Sequence, residues 1–207
     1  MTNHEPGTIV VLASANKGKL KELQEMLGNS VSVVSASDMG VSMPEETAVT
    51  FAGNAEIKAR SAFEQTGHIS LADDSGLEVD ALEGQPGVYS ARYAGDDATD
   101  AENNARLLAK MKDVPHDLRT ARFRSAIAIA FDSGDSLIFT GSVEGTIGFE
   151  EAGTNGFGYD PLFRLPNGRS FGEMTSEEKN PISHRGVAMR QAIPVLLDHI
   201  KEKEGLT

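Results

Sequence analysis

The residues of this chain able to do chemistry fall into a few short clusters. Ser14, Ala15, Asn16, Lys17, Gly18 and Lys19 (SANKGK) stand between the apolar run Thr8 to Ala13 and LKELQEMLG, whose Leu20, Leu23 and Leu27 recur at helical spacing. Strand, loop and helix in that order aim the first amide hydrogens of a helix, and the positive end of its dipole, at whatever lies over the loop. Phosphate is the natural guest. The run is not a standard P-loop, because the first Gly would have to stand at Ala13, and Leu20 follows Gly18 and Lys19 where that motif needs Ser or Thr. Asn16 and Lys19 remain as donor and cation; an ordinary turn with solvated lysines is the competing reading.

Two acidic pairs follow, Glu45 with Glu46 and Asp73 with Asp74. A hard divalent cation such as Mg²⁺ takes one or two carboxylates and keeps waters for substrate phosphates, so one acid from each of two segments is enough. Against this, Glu45 and Glu46 suit the start of a helix, and Asp73, Asp74 and Ser75 suit a turn. Asn54 and Lys58 are four residues apart on one helix face, away from the Phe51 stripe. Farther on, GTNGFGYDP (Gly153 to Pro161) sets Phe157 and Tyr159 among glycines, which suits close approach to a flat ring and stacking on it, or a core anchor. In PISHRG, Ser183 is a candidate N-cap placing His184 and Arg185 in a first helical turn, where basic residues oppose the helix dipole. His116 and Asp117 lack the further ligands of a metal phosphohydrolase and read as a solvated loop. No Nudix-type REXXEE run is present.

The elements that must position these groups follow from periodicity. Strands are expected at Thr8–Ala13 and Val31–Ser35, then a helix opened by Thr50 with Phe51, Ala55, Ala59 and Ala62 as its buried stripe. Ile69–Ala72 reads as a short strand running into a DDSG turn, with a strand resuming at Leu77–Val79. Thr99 and Glu102 form a capping box. Arg122–Phe131, a DSGD turn and Ser136–Glu144 give the strongest hairpin signal. Thr175 and Glu178 form another capping box, and a helix runs from about His184 to Lys201. The pattern predicts a mixed α/β sheet covered by helices, residues 1–207 forming a single domain.

Composition bounds the function. The 207 residues contain no cysteine, so disulfides, thiolate metal sites and a cysteine nucleophile are excluded. Nineteen Lys and Arg against 31 Asp and Glu give a net charge of −12, which argues against phosphate-driven binding of duplex nucleic acid. An anionic ligand needs a local basic patch or its own divalent cation. No apolar run approaches a membrane span, and MTNHEPGT has no signal-peptide pattern, so the expected compartment is the cytoplasm.

In order, SANKGK, EETAVTFAGNAEIKA, LADDSGLEVDALEGQPGVYSARYAG, GFGYDPLF and EEKNPISHRG closely resemble the inosine triphosphate pyrophosphatase family, from about Thr8 to Leu197. The resemblance implies an elongated, twisted mixed sheet with two lobes around a central cleft, usually as a homodimer. It implies Mg²⁺-dependent hydrolysis of ITP, dITP and XTP to the nucleoside monophosphate and pyrophosphate. Carried over by motif, Ser14 to Lys19 and Lys58 would hold the triphosphate, Glu46 and Asp74 the metal, and Asp74 would also be the base. Ser75 would lie beside the substrate, and Phe157, Gly158, Tyr159, Asp160, Lys179, His184 and Arg185 would surround the purine. One position departs: many relatives have Glu before the helix Asn, where this chain has Gly53 before Asn54. Septum-formation-inhibitor-like pyrophosphatases and a non-catalytic nucleotide sensor are the alternatives.

Overall fold

The computed structural model describes residues 8–205 apart from 30 and 133; the N-terminal stretch behind the compartment reading lies largely outside them. Six strands form one mixed sheet in the order β2-β1-β3-β4-β5-β6. They are β1 (Ile9–Leu12), β2 (Ser32–Ser35), β3 (Ile69–Val79), β4 (Thr120–Ala130), β5 (Ser136–Ile147) and β6 (Phe163–Arg164). The helices are α1 (Lys17–Leu27), α2 (Phe51–Thr66), α3 (Asp100–Lys110), the one-turn α4 (Ser176–Lys179) and α5 (His184–Lys203). Strand β1 pairs in parallel with β2 and with β3, Val10 facing Val33 and Ile69. Strands β4 and β5 are sheet neighbours joined through residues 131–135, a connection short enough to require an antiparallel pair. Strand β6 is antiparallel to β5. Among the described residues no helix is long and apolar enough to cross a membrane.

Two compact units emerge, with boundaries inside β3, β4 and β5. One runs up to Asp74 and takes in Ala126–Thr140 and the chain from Gly186 on; the other comprises Ser75–Ser125 and Gly141–Arg185.

The first unit has a core on each face of its strands, and residue parity assigns the side chains. Val10, Leu12, Leu71, Ile127 and Ile129 bury one face against Leu23 and Leu27 of α1 and Ala188, Ala192 and Leu196 of α5. Val11, Ala72, Ala126, Ala128 and Ala130 turn the other way, onto Ala55, Ala59 and Ala62 of α2. That face is built from alanines, so the helix can lie close to the sheet. Thr50 caps α2 by accepting from the Gly53 amide at 3.1 Å.

The second unit has a single core around Leu77, Val79, Leu107, Phe123, Phe163 and Phe171. The capping box expected at Thr99 and Glu102 is formed and opens α3. Arg119, 1% exposed, donates to the carbonyls of Met111, Val114, Ile147 and Gly148, tying the end of α3 to the end of β5. These carbonyls, with the Phe149 ring centroid 4.2 Å from the guanidinium carbon, satisfy the buried cation, which anchors α3 against the strand.

One expectation is corrected here. DDSG is not a turn: β3 is continuous over eleven residues from Ile69 to Val79. Asp, Ser and Gly carry turn propensity, but the strand lies inside the sheet between β1 and β4 and its acids are met by lysines from flanking helices, so tertiary context overrides propensity. His116 and Asp117 form an exposed one-turn 3₁₀ helix, and Thr175 with Glu178 caps the short α4.

Candidate active site

Because Leu71 faces α1 and Ala72 faces α2, alternation along β3 sends Asp73 and Asp74 to opposite faces of the sheet. Each meets a lysine there. The Lys19 ammonium, at the start of α1, lies 3.0 Å from Asp73, a fully buried carboxylate. The Lys58 ammonium, on α2, donates to Asp74 Oδ1 at 3.1 Å, to Glu46 Oε1 at 2.7 Å and to the Asp73 carbonyl at 2.9 Å. Asn54, one turn before Lys58, donates through Nδ2 to Asp74 Oδ2 at 3.3 Å and accepts at Oδ1 from the Ala48 amide at 2.9 Å. Asn54 therefore pins segment 45–49 over the start of α2, and that segment delivers Glu46. Its neighbour Glu45 is exposed.

Gly53 explains how the segment comes so close. A Cβ there would lie 2.6 Å from the Ala48 Cβ, inside van der Waals contact. The departure seen in the sequence is therefore part of the packing that brings Glu46 to Lys58.

Three acids share two ammonium groups in this cluster, and the titration of its members follows from that imbalance. Burial works against the Lys58 charge, but Asp74 and Glu46 outweigh it and hold Lys58 above its ordinary value. Asp74 is pushed above the usual carboxylate range, first by burial, against the pull of Lys58 and Lys19, with Glu46 and Asp73 adding repulsion. Two carboxylates from separate segments fit a hard divalent cation that keeps its remaining positions for water and phosphate oxygens. Among the described residues, no three His, Cys, Asp or Glu side chains form a cage for a metal.

The SANKGK loop makes its own turn. Ser14 Oγ accepts from the Asn16 amide at 3.2 Å, and Asn16 caps α1 by accepting from the Lys19 amide at 3.1 Å. Ala15, Asn16 and Lys17 are exposed, with Gly18 and Lys19 half-buried beside them. The structure thus places Lys19 and Lys58 on the helices expected of them and Glu46 just before α2, puts Asp74 inside a strand instead of a turn, and pairs Lys19 with Asp73.

The remaining candidates lie in the second unit. Lys179 and Asp160 form a buried ion pair at 2.6 Å, and Asp160 Oδ2 also accepts from the Phe157 amide at 2.9 Å. The Phe157 ring is covered by the Lys179 ammonium at 5.1 Å and the Arg185 guanidinium at 5.6 Å. Arg185 donates to Ser75 Oγ at 2.8 Å, and both it and His184 are buried. The His184 ring stacks on Phe123 with centroids 4.7 Å apart. Tyr159 donates its hydroxyl proton to the Ser90 carbonyl at 2.8 Å; burial raises its pKa. Phe157, Gly158, Tyr159, Asp160, Lys179, Arg185 and Ser75 form one linked set, with His184 adjoining it in sequence.

Sequence reasoning missed Asp73 as the partner of Lys19 and Asn54 as a ligand of Asp74. The period-2 signal of a strand running through DDSG would have separated the two acids, had the turn residues not masked it.

Fold and side-chain clusters together define a mixed α/β protein with a lysine-bridged acidic centre on β3 and a glycine-loop site after β5. The Ham1 family model matches residues 10–195, and the chain belongs to that family. It is 50% identical over 196 residues to the dITP/XTP pyrophosphatase of Exiguobacterium sibiricum, covering 93% of this chain and 99% of that one. Identity to the dITP/XTP pyrophosphatase of Escherichia coli (strain K12) is 48% over 196 residues, with 93% and 98% covered. Among solved structures, a HAM1 protein from Coxiella burnetii matches with a TM-score of 0.83 at 44% identity, covering 92% of this chain and 99% of that chain. The nucleoside-triphosphatase or dITP/XTP pyrophosphatase from Mycobacterium abscessus matches at 0.70 and 43% identity, with 91% and 100% covered.

Proposed function

We propose that this chain hydrolyses the non-canonical purine nucleoside triphosphates ITP, dITP and XTP to the nucleoside monophosphate and pyrophosphate, with Asp74 as general base. The observation that carries the assignment is Lys58, whose one ammonium gathers Glu46 and Asp74 on the strand that also carries the partner of Lys19. The dITP/XTP pyrophosphatases to which the chain is about half identical support the substrate class. The family match spans residues of both units, which supports treating 1–207 as one catalytic domain.

Lys19, Lys58, Asn16 and the open amides at the start of α1 take the triphosphate oxygens. Glu46 and Asp74 would hold a divalent cation, Mg²⁺ in our reading, which when bound would supply positive charge against the phosphate oxygens. Asp74 orients a water and accepts its proton as the water oxygen attacks the α-phosphorus and the bond to the bridging oxygen breaks. A raised pKa suits that role, because a carboxylate closer to working pH is a stronger proton acceptor. Most of the catalysis is positioning and electrostatics.

The base falls to Phe157 to Asp160 with Ser75, Lys179, His184 and Arg185. Donors from Arg185 and His184 meet the 6-keto oxygen of hypoxanthine or xanthine, and the 6-amino group of adenine leaves them unpaired. Lys179 pairs with Asp160 and packs its ammonium against the ring of Phe157. We extend the reading to a cytoplasmic homodimer, tested by sedimentation.

The deciding experiment is pyrophosphate release from ITP, XTP, dITP, GTP, ATP and dTTP in parallel, with and without Mg²⁺. Preference for the three 6-keto non-canonical purines, lost on chelation, is expected. Preference for a pyrimidine, or binding without turnover, would overturn the assignment.

A further inference from the structure

We propose that Asp100 and Asn104, one turn apart on α3, are positioning residues that clamp the Gly158 backbone and so fix the loop carrying Phe157 and Tyr159. The Gly158 amide donates to Asp100 Oδ2 at 2.7 Å, and Asn104 Nδ2 donates to the Gly158 carbonyl at 3.2 Å. Both backbone polar groups of one residue are thus held by one helix face. No other described residue bonds either group, so without α3 the half-buried Gly158 backbone would have only solvent to bond.

Three features mark this as a device rather than incidental contact. Gly158 has φ of +60°, a left-handed conformation glycine adopts without strain, and its turn is closed by the Asp160 amide donating to the Phe157 carbonyl at 3.3 Å, so the α3 side chains fix where that turn lies. Asn104 is 3% exposed, its Nδ2 bond to Gly158 is its side chain's one hydrogen bond, and its Oδ1 has no partner among the described residues. A leucine would fill that buried helix position at lower desolvation cost, so the amide is spent on the loop. Finally, α3 is itself fixed: its capping box sets the first turn, where Asp100 stands, and Arg119 ties its far end to β5. On the adjoining residue, Asn103 accepts from the Ala94 amide and donates to the Ala91 carbonyl. The segment holding Ser90, which receives the Tyr159 hydroxyl, is thereby held by the same helix. Phe157 is then set on one side of the clamp and Tyr159 on the other.

The inference rests on the assignment of this loop to the purine, and two readouts separate the clamp from that assignment. Asp100→Ala, Asp100→Asn and Asn104→Leu would be compared with the wild-type protein. Asp100→Asn retains an acceptor for the Gly158 amide and serves as the conservative control, also should the alanine variant fold poorly. Hydrogen exchange of peptides over 154–162 is expected to rise about tenfold or more in Asp100→Ala and Asn104→Leu, less in Asp100→Asn, with β4 and α5 unchanged. The ratio of kcat/KM for ITP to that for ATP is expected to fall about tenfold in the same order, through KM more than kcat, as a misplaced positioning group costs. Unchanged loop exchange would overturn the clamp whatever the kinetics. Faster loop exchange with an unaltered ITP to ATP ratio would leave the clamp standing and overturn the loop's role in reading the base, and with it the positioning role.

Discussion

The acidic centre of the first unit and the glycine loop of the second are built in opposite ways. At the first, the charged and polar groups project from regular elements: Asp73 and Asp74 from mid-strand, Lys19 from α1, Asn54 and Lys58 from α2. Their positions are set by strand parity and helix pitch, and the side chains neutralise one another. At the second, Phe157 to Asp160 have no regular structure of their own, and side chains of α3, the buried Lys179–Asp160 pair and the Tyr159 hydroxyl hold them. On the proposed reading, charge has to be balanced at fixed points where phosphate and metal act, and regular elements supply fixed points. A flat ring with few polar edges needs backbone close to its face, which only an irregular, glycine-containing loop provides.

If that division is right, variants at the two sites should fail differently. The largest effect is expected from Asp74→Asn, which should lower kcat by about 10²- to 10⁴-fold with little change in base preference. A retained tenth of wild-type kcat, a loss of only about 1.4 kcal/mol of barrier, would remove Asp74 from the role of base. Arg185→Ala should do the reverse. A lost donor worth about 1–3 kcal/mol should shrink the ITP to ATP ratio by about 5- to 150-fold. An unchanged ratio would return base reading to His184 or to loop amides.

Lys19→Ala should raise KM about tenfold for every triphosphate alike, and it should also destabilise the fold, because Asp73 is left buried without its ammonium. The double variant Lys19→Ala, Asp73→Asn sharpens this: stability should return while triphosphate affinity stays low. Recovery of affinity would show that Lys19 serves only Asp73.

Gly53→Ala is a smaller test of the same region. In an ordinary helix the change stabilises by about 0.5–1 kcal/mol. Here the new Cβ meets Ala48 at 2.6 Å, so thermal stability should fall and the Mg²⁺ needed for half-maximal rate should rise a few-fold. A gain in stability would mean that segment 45–49 yields at no cost.

The smallest expected effect is on the pH dependence of stability in metal-free protein. Asp74 has a folded-state pKa raised above its ordinary 3.8, so the folded chain binds this proton more tightly than the unfolded chain. Its contribution is fully present below about pH 3.8 and is lost as pH rises through the raised value, by at most about 1.4 kcal/mol per pH unit. Lys58, also raised, contributes below its ordinary 10.5 and loses that contribution only above it. Between pH 4 and 7, Asp74→Asn should therefore gain stability relative to wild type as pH rises. The opposite slope in thermal melts would mean that Lys58 outweighs burial at Asp74.

The chain's own order of residues determined a good deal. The capping box at Thr99 and Glu102, the helix opened by Thr50 and the strand-loop-helix around SANKGK are local patterns, and local propensity and spacing were enough to read them. The same helical spacing put Asn54 and Lys58 on one face. Tertiary structure alone decided which partners those residues meet. It made DDSG a strand interior and split Asp73 from Asp74 across the sheet. It brought Glu46 to Lys58, and it brought Asp100 and Asn104 to Gly158, more than fifty residues away along the chain. The reason is physical: periodicity and capping are satisfied within one or two turns of chain, whereas the partner of a buried charge or an irregular backbone is settled by whichever distant element the packing of the core delivers beside it.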